Sequence, residues 1–410
     1  MADLYQGVPD PTPDFGYDPR TIPIPDDPPE WPSAESTTHY YVDPTHPAST
    51  DTGNVYGYPD KPRKTTWIAG NRSIEAGATI IFAGGSHGSH FIDCTLGTSG
   101  SPIFITFRNG ANFNSGYLGM YGCRHTIIDG LIGGCLDNVN VLFDNGAEYC
   151  TLRNCVLRGD NSVYFGQSTV VRIVGASGAV TNHIYMYNNI TTNFGERFSD
   201  TSWQANDAHA VKIERWVEDV WYIDCYSRRM AGDAMQIGGT GFADASRPRR
   251  CYVGGLVSHN QGENCFDTKD SYDCVFSESW GWETYTTATS GGSLAAQTQN
   301  TYANNLQYYK VRFHTAQYGL AIGTGHVTVL QDSLNYDDTW DDFWVFITEE
   351  NKQYLTERGT RYHTYTDDWG DIQYGVSSLY SPTGLSFSAG PTIVSNAGGI
   401  VDASATVDSQ

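Results

Sequence analysis

Four segments decide the fold: CTLRNCVL (150–157), IYMYNNIT (184–191), VWYIDCYS (220–227) and CYVGGLVS (251–258). Each begins with a small or apolar residue, alternates, carries a polar residue (once a glycine) at its fifth position, and resumes with an apolar one. The pattern recurs as HTIIDGLI (125–132), CVFSESWG (274–281), LQYYKVRF (306–313) and VTVLQDSL (327–334). Alternation with period two makes each copy a strand with one buried face. The copies start 25, 34, 36, 31, 23, 32 and 21 residues apart. Such uneven spacing excludes strict helical repeats and fits stacked coils with loops of varying length. Each strand would then pair with its equivalents above and below at about 4.8 Å. Cys150, Cys251 and Cys274 become inward rungs of one ladder.

A second register precedes each copy: VVRIV (170–174), AVKIE (210–214), AMQIG (234–238), CFDTK (265–269), SLAAQ (293–297) and GLAIG (319–323). Here Val171, Val211, Met235, Phe266, Leu294 and Leu320 point inward. Arg172, Lys212, Gln236, Asp267, Ala295 and Ala321 form one outward row. Val174, Glu214, Gly238, Lys269, Gln297 and Gly323 form the next. Two ladders in one order predict an all-β chain, a right-handed parallel β-helix, where a β-sandwich would not repeat in phase. The Pro- and Asp-rich residues 1–38 cannot bury enough apolar surface to order themselves and read as an extended or clasping arm. Residues 39–335 form the solenoid, and 336–410 supply terminal coils and a cap against edge aggregation.

Composition agrees: 44 glycines and 13 % aromatics, with few helix-favouring runs, belong to many short strands and turns. A net charge of −22 repels nucleic acid and anionic membranes, which excludes both as partners. No stretch approaches transmembrane length, and Met1–Tyr5 begins no signal peptide. The expected location is extracellular, secreted or virion-associated, by a removed leader, a non-classical route or release within a particle. Nine cysteines without a CxxC pair argue against zinc ribbons and for small buried core residues. The oligomeric state is not written in the sequence.

Charge concentrates in adjacent coils over residues 205–270. Lys212 and Asp267 fall two coils apart in one outward row, roughly 10 Å, and Glu214 and Lys269 do the same in the next. Gly238 between the latter pair leaves a notch of a size to accept a sugar ring. Lys269 is the candidate base, provided bound substrate excludes water, since otherwise it stays protonated. His209 could donate or accept a proton near neutral pH. Lys212, Asp267 and Glu214 complete the candidate catalytic set. Arg172 extends the basic side and Gln236 lines the groove. Trp203, in the long insertion 191–207 with Glu196 and Arg197, offers an apolar platform. Arg228 and Arg229, with the RPRR run at 247–250, read as loop residues that grip carboxylate or sulfate. Asp207, Asp233 and Glu263, at one edge of successive coils, could hold Ca²⁺, and simple turn residues explain them equally. Cross-coil salt bridges on a solvated face are the competing account. Later coils place Ala and Gly at these positions, so the charges are local.

The ladders, together with GENCFDTKDSYDCVF (262–276), resemble the pectate-lyase-like right-handed β-helix superfamily over residues about 40–335. That string is similar to a segment of alginate- and chondroitin-type β-helix lyases. The resemblance implies a Brønsted base at Lys269 and a metal ligand at Glu263. Those families place an Arg in the following coil, where this chain has Ala295, Ala296 and Gln297. The expected function is a polysaccharide lyase acting on an acidic, uronate-containing polysaccharide by β-elimination. The alternatives are a glycoside hydrolase or phage-type depolymerase using two of Asp233, Glu214, Asp267 and Glu263, and a non-catalytic carbohydrate-binding or structural β-helix.

Overall fold

The structure, a computed structural model, describes most of residues 5–281 and 303–311 in full. Residues 28–37, 67–73, 160–168, 195–207, 240 and several positions within 109–115 and 131–138 are outside the description. Beyond 311, and at 294–298, it describes strand backbone only.

Each coil runs through three strands, as in Val171–Ile173, Thr181–Tyr187 and Ile190–Phe194. Stacking the coils gives three parallel sheets of ten, twelve and nine strands among the described residues, in which every strand pairs with its equivalent one coil away. We call them the first, second and third sheets, in the order the chain visits them. This is a right-handed parallel β-helix, the hand that parallel crossovers take. The sheets continue past residue 335 through Val345–Ile347, Thr356–Arg358 and Arg361–Tyr362, and an antiparallel pair, Thr364–Thr366 with Ile372–Tyr374, follows.

The expected ladders are present. Cys150 pairs with Ile184, Ile184 with Val220 and Val220 with Cys251 on the second sheet. Val171, Val211, Met235 and Phe266 pair in sequence on the first. The polar fifth position has a backbone cause. Asn154, Asn188, Asp224, Gly255, Glu278 and Lys310 all have φ between 48° and 63°, turning the chain from the second sheet into the third. Asn, Asp and Gly tolerate that left-handed conformation best.

Three expected registers were displaced, one of them past Leu306, where Gln307 pairs with Val329 and not Thr328. Ile127 pairs with Thr151, so the copy at 125 begins one residue later, at Thr126. His125 instead matches Tyr149 and His183, which share its positive φ and stack on it in series at 4.7 and 4.5 Å. On the first sheet Ala296, not Leu294, pairs with Phe266, and Gln297, not Ala295, stands beside Asp267.

Inward side chains fill the bore as one continuous cluster from Tyr40 to Val311. Eight of the cysteines are described, and all are buried free thiols. A second cluster lies outside the bore. It joins Val8 and Phe15 of the arm to Tyr185, Trp221, Ile223 and Val275 on the outer face of the second sheet. The arm therefore clasps the solenoid. Phe15 is fully buried and meets Tyr149, Tyr185 and Trp221 edge-on at 5.7–6.3 Å. The Trp221 indole N–H donates to the Pro9 carbonyl at 2.9 Å, and the Arg153 guanidinium donates to the carbonyls of Pro19 and Ile22 at 3.0 and 2.6 Å. Glycines at 254 and 255 leave the hollow that seats the Tyr5 ring, whose hydroxyl reaches Asp224.

Candidate active site on the first sheet

The site lies where the third sheet turns into the first and along the first sheet's outer face. His209, Asp233 and Asn264 stand two residues before Val211, Met235 and Phe266, which are in register, so the three form one row across adjacent coils. All are at most 2 % exposed. Asn264 donates to Asp233 Oδ1 twice, from its backbone N–H at 2.9 Å and its side-chain amide at 2.7 Å. His209 Nδ1 accepts the Asp233 amide N–H at 3.1 Å and lies 3.1 Å from Oδ2 of the same residue. One unprotonated nitrogen cannot both accept that amide and face a carboxylate oxygen without repulsion. Unprotonated, Nδ1 accepts from the amide; protonated, it donates to Oδ2 and gives up the amide contact.

Three residues along each strand, Lys212, Gln236 and Asp267 form the expected outward row. Gln236 donates to Asp267 Oδ2 at 3.2 Å, and Lys269 Nζ lies 3.1 Å from the same oxygen. Asp267 is 2 % exposed, and its Oδ1 has no hydrogen-bond partner. Burial, then the negative charge of Asp233, pushes the Asp267 carboxyl up to about 6 against the opposing pull of Lys269 and Gln236. Burial alone would lower the Lys269 ammonium, but Asp267, Asp233 and Glu263 reverse this, and the net shift is upward.

These contacts correct several expectations. Lys269 and Glu214 do not face each other across a notch. Lys269 turns to Asp267 on its own strand, and Glu214 pairs with Arg172 one coil back at 2.8 Å. The space above Gly238 is filled by backbone: an added Cβ would lie 2.4 Å from the Asp270 carbonyl oxygen. The backbone, with φ +84° there, needs glycine for its conformation as well as for this close approach. Arg228 and Arg229 are not loop residues but lie within the third-sheet strand Tyr226–Met230. The guanidiniums of the RPRR run are committed internally. Arg247 pairs with Asp244 and donates to the Tyr272 hydroxyl, both at 2.6 Å, and Arg250 pairs with Glu218 and Asp219. Trp203, Glu196, Arg197 and Asp207 lie outside the described residues.

Donor atoms of His209, Asp233 and Glu263 lie within 4.8 Å of one another and could hold a metal ion. Two members, Asp233 and Glu263, belong to the expected calcium set, and the third is His209; Asp207, the remaining expected ligand, lies outside the described residues. A ring nitrogen with two carboxylates suits a transition ion better than Ca²⁺, which takes six to eight oxygens. Sequence reading gave Asn264 and Asp270 no role in the site. The ladder alignment places Asn264 in one row with His209 and Asp233 without giving it a task. Asp270, fully buried and accepting the Phe242 amide N–H at 2.8 Å, had no such signal.

No protein-family model matches the chain, and no curated protein matches it. Among solved structures it is similar to the selenomethionine derivative of a GH136 lacto-N-biosidase from Eubacterium ramulus, with 12 % identity and a TM-score of 0.48. That alignment covers 80 % of this chain and 60 % of the other, so the chain spans about three-fifths of that protein's length. It is also similar to pectate lyase Pel9A, with 11 % identity and a TM-score of 0.44, covering 81 % of this chain and 76 % of that one. Nothing about activity follows from likenesses at this level. The fold rests on the chain's own strand register: it is a right-handed parallel β-helix.

Proposed function

We propose that the chain cleaves glycosidic bonds of a polysaccharide by hydrolysis, using Asp233 and Asp267, two buried carboxylates that adjacent coils hold in unlike surroundings. The carrying observation is that contrast. Asp233 accepts two hydrogen bonds from Asn264 on one oxygen, whereas Asp267 lies between the Gln236 amide and the Lys269 ammonium and is pushed up by burial and the charge of Asp233; each keeps its other oxygen buried without a hydrogen-bond partner. Environments that divide two carboxyls in this way assign acid and base. Asp267 protonates the departing glycosidic oxygen, and Asp233 activates water or attacks the sugar, according to their separation once substrate is bound. Lys269 stays protonated, tunes Asp267 and offers its partly exposed ammonium to substrate oxygens. Both carboxyls are covered, so a sugar touches them only when the groups above them part.

Elimination, the reaction expected from the sequence, requires a neutral Lys269, and its contact with Asp267 opposes deprotonation. The test is a panel of polysaccharides assayed in parallel for reducing ends and for ultraviolet-absorbing unsaturated ends. New reducing ends without unsaturation are expected, and Asp267→Asn and Asp233→Asn should each lose a factor of about 100 or more in rate. Unsaturated product that disappears in Lys269→Ala would replace hydrolysis by elimination. Binding without product from any polymer would point to a non-catalytic β-helix.

A further inference from the structure

The described arginines are mostly committed to carboxylates, as expected in a chain with 46 acidic residues against 24 basic ones. Arg63 meets Asp51, Arg153 meets Asp129, Arg172 meets Glu214, and Arg250 meets Glu218 and Asp219. Arg228 and Arg229 differ. They are adjacent and half-buried, and the Nε atom of each is buried with no hydrogen-bond partner. Neither has a carboxylate partner among the described residues. Thr192 is the register neighbour of Arg228, which puts Asn193 level with Arg229, and Asn193 Oδ1 is likewise buried without a partner. Two residues before Arg228, the Tyr226 hydroxyl lies 2.5 Å from His259 Nε2, with the two rings 5.5 Å apart. Four residues after Arg229 comes Asp233, a chain distance of at most about 14 Å.

Half-buried guanidiniums without counter-anions are costly unless a ligand supplies the missing oxygens. A carboxylate or sulfate fits the guanidinium fork, which can donate two parallel hydrogen bonds to it. We infer that Arg228 and Arg229, beside the Tyr226–His259 platform, form a subsite for a carboxylate- or sulfate-bearing sugar. The polysaccharide cleaved at Asp233 and Asp267 is therefore anionic. The subsite is a binding claim about the third sheet. Only the link to cleavage rests on the hydrolytic reading.

The test measures binding and cleavage separately on the full chain. Wild type, Arg228→Gln, Arg229→Gln and the double variant are titrated with a uronate polymer, a sulfated polymer and a neutral polymer, with melting temperature as the folding control. The acidic polymer that binds should bind about tenfold more weakly to each single variant and a hundredfold or more to the double one, corresponding to about 1.4 and 2.7 kcal/mol. Neutral binding should not change, and the uronate and sulfate arms identify which anion is read. Arg228→Lys with Arg229→Lys should retain part of the affinity, since charge remains while the fork is lost. Equal binding of the acidic polymers by wild type and the double variant overturns the subsite. So does wild type that binds and cleaves only the neutral polymer, which leaves hydrolysis standing. Arginine-dependent acidic binding with no cleavage upholds the subsite and removes the hydrolytic reading instead.

Discussion

Replacing Arg153 with Met should loosen the grip of the solenoid on its arm, and the structure sets the scale. Arg153 and Asp129 are register neighbours on the second sheet, 2 % and 0 % exposed at their side chains, with Nε 2.5 Å from Oδ2. The same guanidinium supplies donors to the carbonyls of Pro19 and Ile22. Met fills much of the volume but strips Asp129 of its counter-ion, whose charge the neutral Asn154 amide at 3.3 Å does not replace, and removes both ties to the arm. Breaking a buried pair from one side costs about 3–5 kcal/mol, because a charge is left without compensation. Urea denaturation followed by tryptophan fluorescence measures the loss, since Trp221 lies beneath the arm and bonds to Pro9. Limited proteolysis should show new cleavage among residues 5–27. The double variant Asp129→Leu with Arg153→Met removes the orphaned charge and should recover most of the stability, though not the ties to the arm. A single variant within about 1 kcal/mol of wild type, or a double variant as unstable as the single, would refute the reasoning.

Three further outcomes are expected. Lys269→Met removes the cation holding Asp267 down, so the alkaline limb of the hydrolytic pH–rate profile should move upward by about one to three units; a stationary limb would remove Asp267 as the proton donor. His90 is buried among aromatic rings, and burial, then His87, lowers it to about 4. Because the unfolded ring titrates near ~6.5, the stability tied to neutral His90 is present above that value and is lost as pH falls toward 4, by up to about 3 kcal/mol. His90→Gln should flatten the fall in melting temperature over this window, and an unchanged slope would count against the assignment. In Gly255→Ala, with φ +63°, the new Cβ would lie 2.4 Å from the Tyr5 hydroxyl oxygen and 2.6 Å from Asp224 Oδ1. Tyr5 must leave its seat, and a loss of about 1–3 kcal/mol with a protease-sensitive arm is expected; wild-type protease resistance would show that Tyr5 adjusts without release.

The coils were legible because inward and outward residues contrast along most strands. Phase was lost where that contrast fails. Thr126–Asp129 is buried on every residue, and Leu294–Ala296 offers only small or apolar side chains. The cluster of His209, Asp233, Glu263, Asp267 and Lys269 was visible as charge concentrated in successive coils. Its pairing was not, since whether Lys269 meets Glu214 or Asp267 depends on side-chain direction and depth. The filled space at Gly238 depends on the backbone of Asp270, in the next coil, which no local pattern records. The arm packs its apolar residues Val8 and Phe15 on the second sheet. Its partners, the outward Tyr185, Trp221 and Tyr252, were present in the ladder as rings too large for a merely solvated face.

The arm also changes how the coils depend on one another. In a bare solenoid each coil touches only its neighbours, so stability accumulates locally and the stack can fray from either end. Here Gly7 lies against the Tyr309 ring, while Asp27 pairs with Arg108. Some twenty residues of arm thus bridge coils about two hundred residues apart in sequence. Coils within that span should melt together, and those beyond it should unravel on their own. During synthesis the arm emerges before the coils it clasps, and its dock at Tyr309 is made some three hundred residues later. The arm, made before the coils it clasps, is therefore among the last segments to find its place, and its docking closes the span it bridges.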